Sequence, residues 1–121
     1  MLIVGVDIIE IDRIAQALDR WKERFLQRVY TPEETAFCQG RPDRLAARFA
    51  AKEAVMKALG TGIRGVGWKE VEVTRQKGRP PTINLYGRAQ RHATSMGIVE
   101  LSLSMSHSKS YAVASVVGSR Q

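Results

Sequence analysis

The chain opens on an apolar, β-branched run, Leu2-Ile3-Val4-Gly5-Val6, which predicts a short strand buried on both faces and ending at Asp7. From Asp7 the period changes. Ile8, Ile11, Ile14, Ala15 and Leu18 recur at helical spacing, with Glu10, Asp12, Arg13 and Arg20 on the opposite side. Thr31-Pro32-Glu33-Glu34 announces a second helix, because Thr31 can cap, Pro32 suits the first turn and Glu34 stands where a capping box needs it; Gly40 and Pro42 close it. The third helix runs from about Asp43 to Leu59 and stops at Gly60. Leu45, Phe49, Met56 and Leu59 form its apolar stripe, and Lys52 falls inside that stripe. A glycine-rich loop, Gly60 to Gly67, follows.

The second half alternates. Trp68 to Thr74 and Thr82 to Tyr86 read as strands joined by the turn Gly78-Arg79-Pro80-Pro81, and Gly87 to Met96 as a short basic helix ending at Gly97. Val99, Leu101, Leu103 and Met105 alternate with Glu100, Ser102, Ser104 and Ser106, a half-buried strand, while Tyr111 to Val117 is apolar on both faces and suits a central or interface strand. Helices at the front and strands at the back predict an α+β fold, a small, mostly antiparallel sheet packed with helices. At 121 residues the chain has room for one domain, 1–121.

Charge changes this picture more than bulk composition does. Nineteen Lys and Arg against twelve Asp and Glu leave a net charge of +7, which calls for an anionic partner. Nucleic acid is the broadest class, with acidic proteins, anionic membranes and phosphorylated small molecules as competitors. Arg75, Lys77, Arg79, Arg88 and Arg91 lie between Glu72 and Glu100 without an intervening acid. The single cysteine, Cys38, excludes an intramolecular disulfide framework and suits a reducing compartment. No apolar stretch is long enough to span a membrane, and Asp7 interrupts too early for a signal peptide, so a cytoplasmic location is expected.

Three constellations could carry chemistry. Asp7, at a strand end, could hold a hard cation, or form a capping box with Glu10. Glu53 and Lys57 are either a surface pair one helical turn apart or site residues beside the glycine loop. His107, among Ser104, Ser106 and Ser108, could bind phosphate oxygens or be structural. The loop lacks the Lys-Ser/Thr pair of a P-loop, and no nucleophile elbow supports a hydrolase triad. Two carboxylates able to share one Mg²⁺, with Lys, Arg and His around them, are equipment for phosphoryl transfer.

The motifs Ile3-Val4-Gly5-Val6-Asp7-Ile8, then Arg48-Phe49-Ala50-Ala51-Lys52-Glu53-Ala54-Val55-Met56-Lys57-Ala58-Leu59-Gly60-Thr61-Gly62, Gly78-Arg79-Pro80 and Ser104-Met105-Ser106-His107-Ser108 occur in one order over nearly the whole chain. In this the sequence resembles the 4'-phosphopantetheinyl transferase family, in its small holo-acyl-carrier-protein synthase branch. The resemblance implies transfer of phosphopantetheine from coenzyme A to a serine of apo acyl carrier protein. It implies Asp7 and Glu53 as Mg²⁺ ligands, Glu53, directly or through a metal-bound water, as proton acceptor, and Lys57 against the leaving phosphate. Arg48, Ser106, His107 and Ser108 would contact phosphates or adenosine, and Gly60 and Gly62 would let the backbone close over the nucleotide. It further implies a homotrimer with shared active sites, a carrier protein docked on Arg13, Arg20 and Arg24 of one helix face, and Lys52 directed to a ligand or a subunit boundary. Where larger two-domain relatives carry a second acid, this chain has Ile9, so water would fill that position. The rival reading, a basic nucleic-acid-binding module, lacks interleaved aromatics and has no use for the acid pair.

Overall fold

A computed structural model describes residues 1–121. The chain runs β1 (Leu2–Glu10), α1 (Ile11–Trp21), α2 (Glu23–Val29), α3 (Pro32–Cys38), α4 (Pro42–Leu59), a single helical turn α5 (Gly62–Gly65), a 3-10 turn (Trp68–Glu70), β2 (Val71–Thr74), β3 (Thr82–Leu85), α6 (Gly87–Ser95), β4 (Ile98–His107) and β5 (Tyr111–Arg120). The α+β expectation holds, but the strands divide into two antiparallel sheets, β1-β5-β4 and the hairpin β2-β3. The run from Tyr111 is the central strand, as its apolar composition predicts.

Local signals account for several element ends. Thr31 and Glu34 close the predicted capping box on α3, and Gly60 ends α4 in the left-handed conformation at φ 71°. Other expectations give way to long-range pairing. Strand β1 does not stop at Asp7: β5 continues to offer backbone partners as far as Glu10, so Asp7 lies inside the strand, opposite Ala114, and makes no capping box. Nor is β1 buried on both faces. Gly5 and Ile9 turn inward, whereas Leu2, Val4, Val6 and Ile8 stand exposed on the other side. Trp68 to Glu70 forms a turn before β2 begins, and the first helix breaks at Lys22, whose φ is 48°.

Helix α4 is the core of the molecule, buried on almost every side and packed across β1 and β5. Its alanines permit that approach, and Gly5 sets the closest point. A Cβ at Gly5 would stand 2.0 Å from the carbonyl oxygen of Ala54. Gly5→Ala is therefore expected to cost about 1–3 kcal/mol, read as a lower urea midpoint. An unchanged midpoint would show that α4 can retreat from the sheet without loss.

Lys52 corrects a further expectation. It points neither to a ligand nor to a subunit boundary: its ammonium is wholly buried, 2.7 Å from Glu34 Oε1, and donates to the carbonyl oxygens of Trp68 at 3.0 Å and Val71 at 2.5 Å. Glu34 also accepts from the backbone of Thr31 and Val73, so the pair joins α3, α4 and β2. Beside it Glu72 accepts from the hydroxyls of Thr31 and Tyr86.

Candidate active site

Because α4 crosses β1 so closely, residues about fifty positions apart meet. Lys57 Nζ lies 2.9 Å from Asp7 Oδ1 and 3.0 Å from the carbonyl oxygen of Val6. Lys57 thus bonds Asp7 and not Glu53, one turn behind it. Asp7 and Glu53 line one cavity of about 280 Å³, with Arg13, Ile14, Phe25 and Phe49 among its walls. Burial, and then the charge of Asp7, raise the Glu53 carboxyl above the ordinary glutamate range. No group of three or more His, Cys, Asp or Glu forms a metal cluster, so the protein offers this cavity two acids.

A second cavity, of about 330 Å³, opens at the N-terminal end of α4. Arg41, Arg44, Arg48 and Arg75 meet His107 and Ser106 there, with one acid, Asp43, paired to Arg41 at 3.2 Å. Arg48 is 3% exposed, its guanidinium lies 4.2 Å from the Phe37 ring centre, and its Nε and Nη2 are buried without a hydrogen-bond partner. Burial lowers its pKa, and the charges of Arg75 and Arg44 act in the same direction. Unsatisfied donors among gathered cations call for an anion. Arg41, Arg44 and Arg75 were not among the predicted contacts, although Arg41, Arg44 and Arg48 have helical spacing that could have grouped them. Ser108 has other work: its hydroxyl accepts from the backbone of Ser110 and Tyr111 in the β4–β5 turn.

The two cavities share no lining residue. Asp7 is on β1 and His107 on β4, the two edges of the sheet; β5 holds those strands about 10 Å apart, and His107 stands two positions along from Met105, which is level with Asp7. Helix α4 lies between. Gly60 and Gly62 both have positive φ, and a Cβ at either would meet nothing within 4 Å.

The predicted carrier-protein contacts do not form one face, because the break at Lys22 puts Arg24 on a different helix from Arg13. Arg20 and Arg24 instead converge on Trp21, at 4.9 and 6.0 Å from its ring, while Arg13 lines the acid cavity. Phe49 stacks on Trp68 at 4.7 Å, extending an aromatic wall from that cavity toward Trp21.

Carboxylates, an ammonium and a cationic pocket on a mixed fold of this topology have the chemistry of a phosphate-handling protein. A family model described as the 4'-phosphopantetheinyl transferase superfamily matches residues 3–116. The chain belongs to that superfamily and, within it, to the holo-[acyl-carrier-protein] synthases. The Koribacter versatilis protein of that name is 50% identical over 117 residues, covering 93% of this chain and 94% of the relative. The Herpetosiphon aurantiacus protein is 48% identical over 125 residues, covering 98% of each. The crystal structure of Helicobacter pylori holo-[acyl-carrier-protein] synthase in complex with coenzyme A superposes with a TM-score of 0.87 at 33% identity, covering 96% of this chain and 99% of that one. Membership in this enzyme family leaves the nucleic-acid-binding reading without support.

Proposed function

We propose that the chain transfers the 4'-phosphopantetheine arm of coenzyme A to a serine of an apo acyl carrier protein, with Mg²⁺, and releases adenosine 3',5'-bisphosphate. The observation that carries the reading is the meeting of Asp7, Glu53 and Lys57 where α4 crosses β1. In this reading residues 1–121 form one transferase domain, working in the cytoplasm in support of fatty acid biosynthesis.

Two acids with the remaining positions left to water and substrate phosphate suit Mg²⁺, so Asp7 and Glu53 would hold it. When bound it supplies charge neutralisation at the pyrophosphate. Glu53, raised in pKa, accepts the serine proton as the oxygen attacks the β-phosphorus. The bond from that phosphorus to the bridging oxygen breaks, and Lys57 offsets the charge arriving on the leaving phosphate. Arg48 and His107, with Arg41, Arg44 and Arg75, hold the nucleotide's phosphates; Ser106 lies at the rim of the same pocket. Gly60 and Gly62 leave room for backbone to approach the nucleotide. Arg13, Arg20 and Arg24 receive the acidic carrier.

The separation of the two cavities favours a homotrimer in which the acids of one subunit face the arginine pocket of the next. The outer face of the β1-β5-β4 sheet supports the same assembly. Val4, Val6 and Ile8 are 63%, 56% and 63% exposed there, an apolar row along one strand of the kind that marks an interaction surface.

Incubation with coenzyme A, Mg²⁺ and apo carrier protein is expected to add the mass of one phosphopantetheine arm to the carrier, and chelation of the metal to stop it. Absence of that gain with several carriers would overturn the reading.

A further inference from the structure

Asp7, Glu53 and Lys57 differ in their freedom to move. Asp7 is held in mid-strand, its carboxylate 14% exposed. Glu53 comes from the buried central helix. The Lys57 side chain is 55% exposed and reaches Asp7 from the rim, so it can leave by rotating its own stem.

Its ammonium nevertheless occupies Asp7 Oδ1 at 2.9 Å. A divalent cation bound by Asp7 and Glu53 would stand about 2.1 Å from a carboxylate oxygen. That places two positive charges on one carboxylate, close enough to repel strongly. We propose that Lys57 is a displaceable counter-ion of the acid pair: its ammonium and a divalent cation compete for Asp7. A phosphate-bearing donor that draws the ammonium off Asp7 thereby tightens the cation site. Binding of donor and cation is then coupled through Lys57, by the same factor in either direction. The lysine offsets the Asp7 charge between turnovers and turns toward the donor's phosphate as the cation enters. The inference rests on Asp7 and Glu53 being cation ligands, and adds an order to their filling.

The test is Mn²⁺ affinity, measured by electron paramagnetic resonance or calorimetry on the full chain with and without coenzyme A. Without coenzyme A, Lys57→Met is expected to bind Mn²⁺ at least about fivefold more tightly than the parent. Arg13→Met removes an equal charge from the wall of the acid cavity without a bond to Asp7, and is expected to give a clearly smaller gain. Coenzyme A should tighten Mn²⁺ binding by a larger factor in the parent than in Lys57→Met. In a Mg²⁺-bound crystal structure, Lys57 Nζ should lie beyond hydrogen-bond reach of Asp7. Unchanged or weaker Mn²⁺ binding by Lys57→Met, or an equal gain from Arg13→Met, overturns the role given to Lys57. Failure of the parent and both variants to bind Mn²⁺, even with coenzyme A, overturns the acid pair as a cation site and the inference with it.

Discussion

Glu53→Gln is expected to reduce phosphopantetheine transfer by about 10²- to 10⁴-fold, the range for losing a positioned proton acceptor, and by more if the metal is lost too. The fold should not suffer. Burial and the Asp7 charge raise the Glu53 pKa in the folded protein. A carboxyl raised in this way contributes stability that is fully present below its unfolded pKa and is lost as pH rises through the folded value. At neutral pH its ionised form is a cost, so the amide should leave the unfolding midpoint equal or slightly higher. Carrier mass against time, and thermal unfolding of the same sample, check the two halves; near-normal turnover would remove Glu53 from the chemistry. The variant also addresses assembly. Arg48→Met should be inactive for want of a grip on the nucleotide, yet re-equilibrating it with Glu53→Gln should restore part of the activity, because in the proposed trimer some sites of a mixed assembly would have both residues intact. No recovery would mean that one chain supplies both halves of its own site.

The second large effect is on stability. Lys52→Met should cost about 3–5 kcal/mol, since it leaves Glu34 as a buried charge without its partner. Against the roughly 5–15 kcal/mol that holds a typical domain, this is a large share. Burial lowers the Lys52 pKa while Glu34 opposes the shift, so the ammonium is sustained by its three acceptors. Glu34→Gln added to Lys52→Met should recover part of the loss, because the stranded charge is then gone. Urea unfolding of both single variants and the double one gives the coupling. A loss below about 1 kcal/mol for Lys52→Met would show that the buried carboxylate finds compensation elsewhere.

These two residues are neighbours on α4, and they were legible to different degrees. The sequence marks Lys52 as anomalous, a cation in an apolar stripe, but its partners lie on α3, the 3-10 turn and β2. Glu53 and Asp7 could be paired from their chemistry and from resemblance to a family, but not from spacing, since their sharing of one cavity depends on where α4 crosses β1. For the arginine pocket, Arg48 and His107 were in view, while Arg75 arrives from the distant loop that follows β2. Arg13, Arg20 and Arg24 were grouped on the assumption of one helix, and a backbone break at Lys22, with no glycine or proline to announce it, divides them.

What the sequence by itself determined is what forms within a turn or two of chain. The Thr31–Glu34 box, the stop at Gly60 and the alternation of β4 rest on neighbours a few residues away, so spacing is enough to read them. Tertiary structure decided the rest: which face of β1 is covered, where Lys52 finds its counter-charge, and that Lys57 bonds Asp7 instead of Glu53. Those outcomes depend on interactions between residues up to fifty positions apart. Their strength is set by distance and burial, and both come into existence only when α4 packs across the sheet at Gly5.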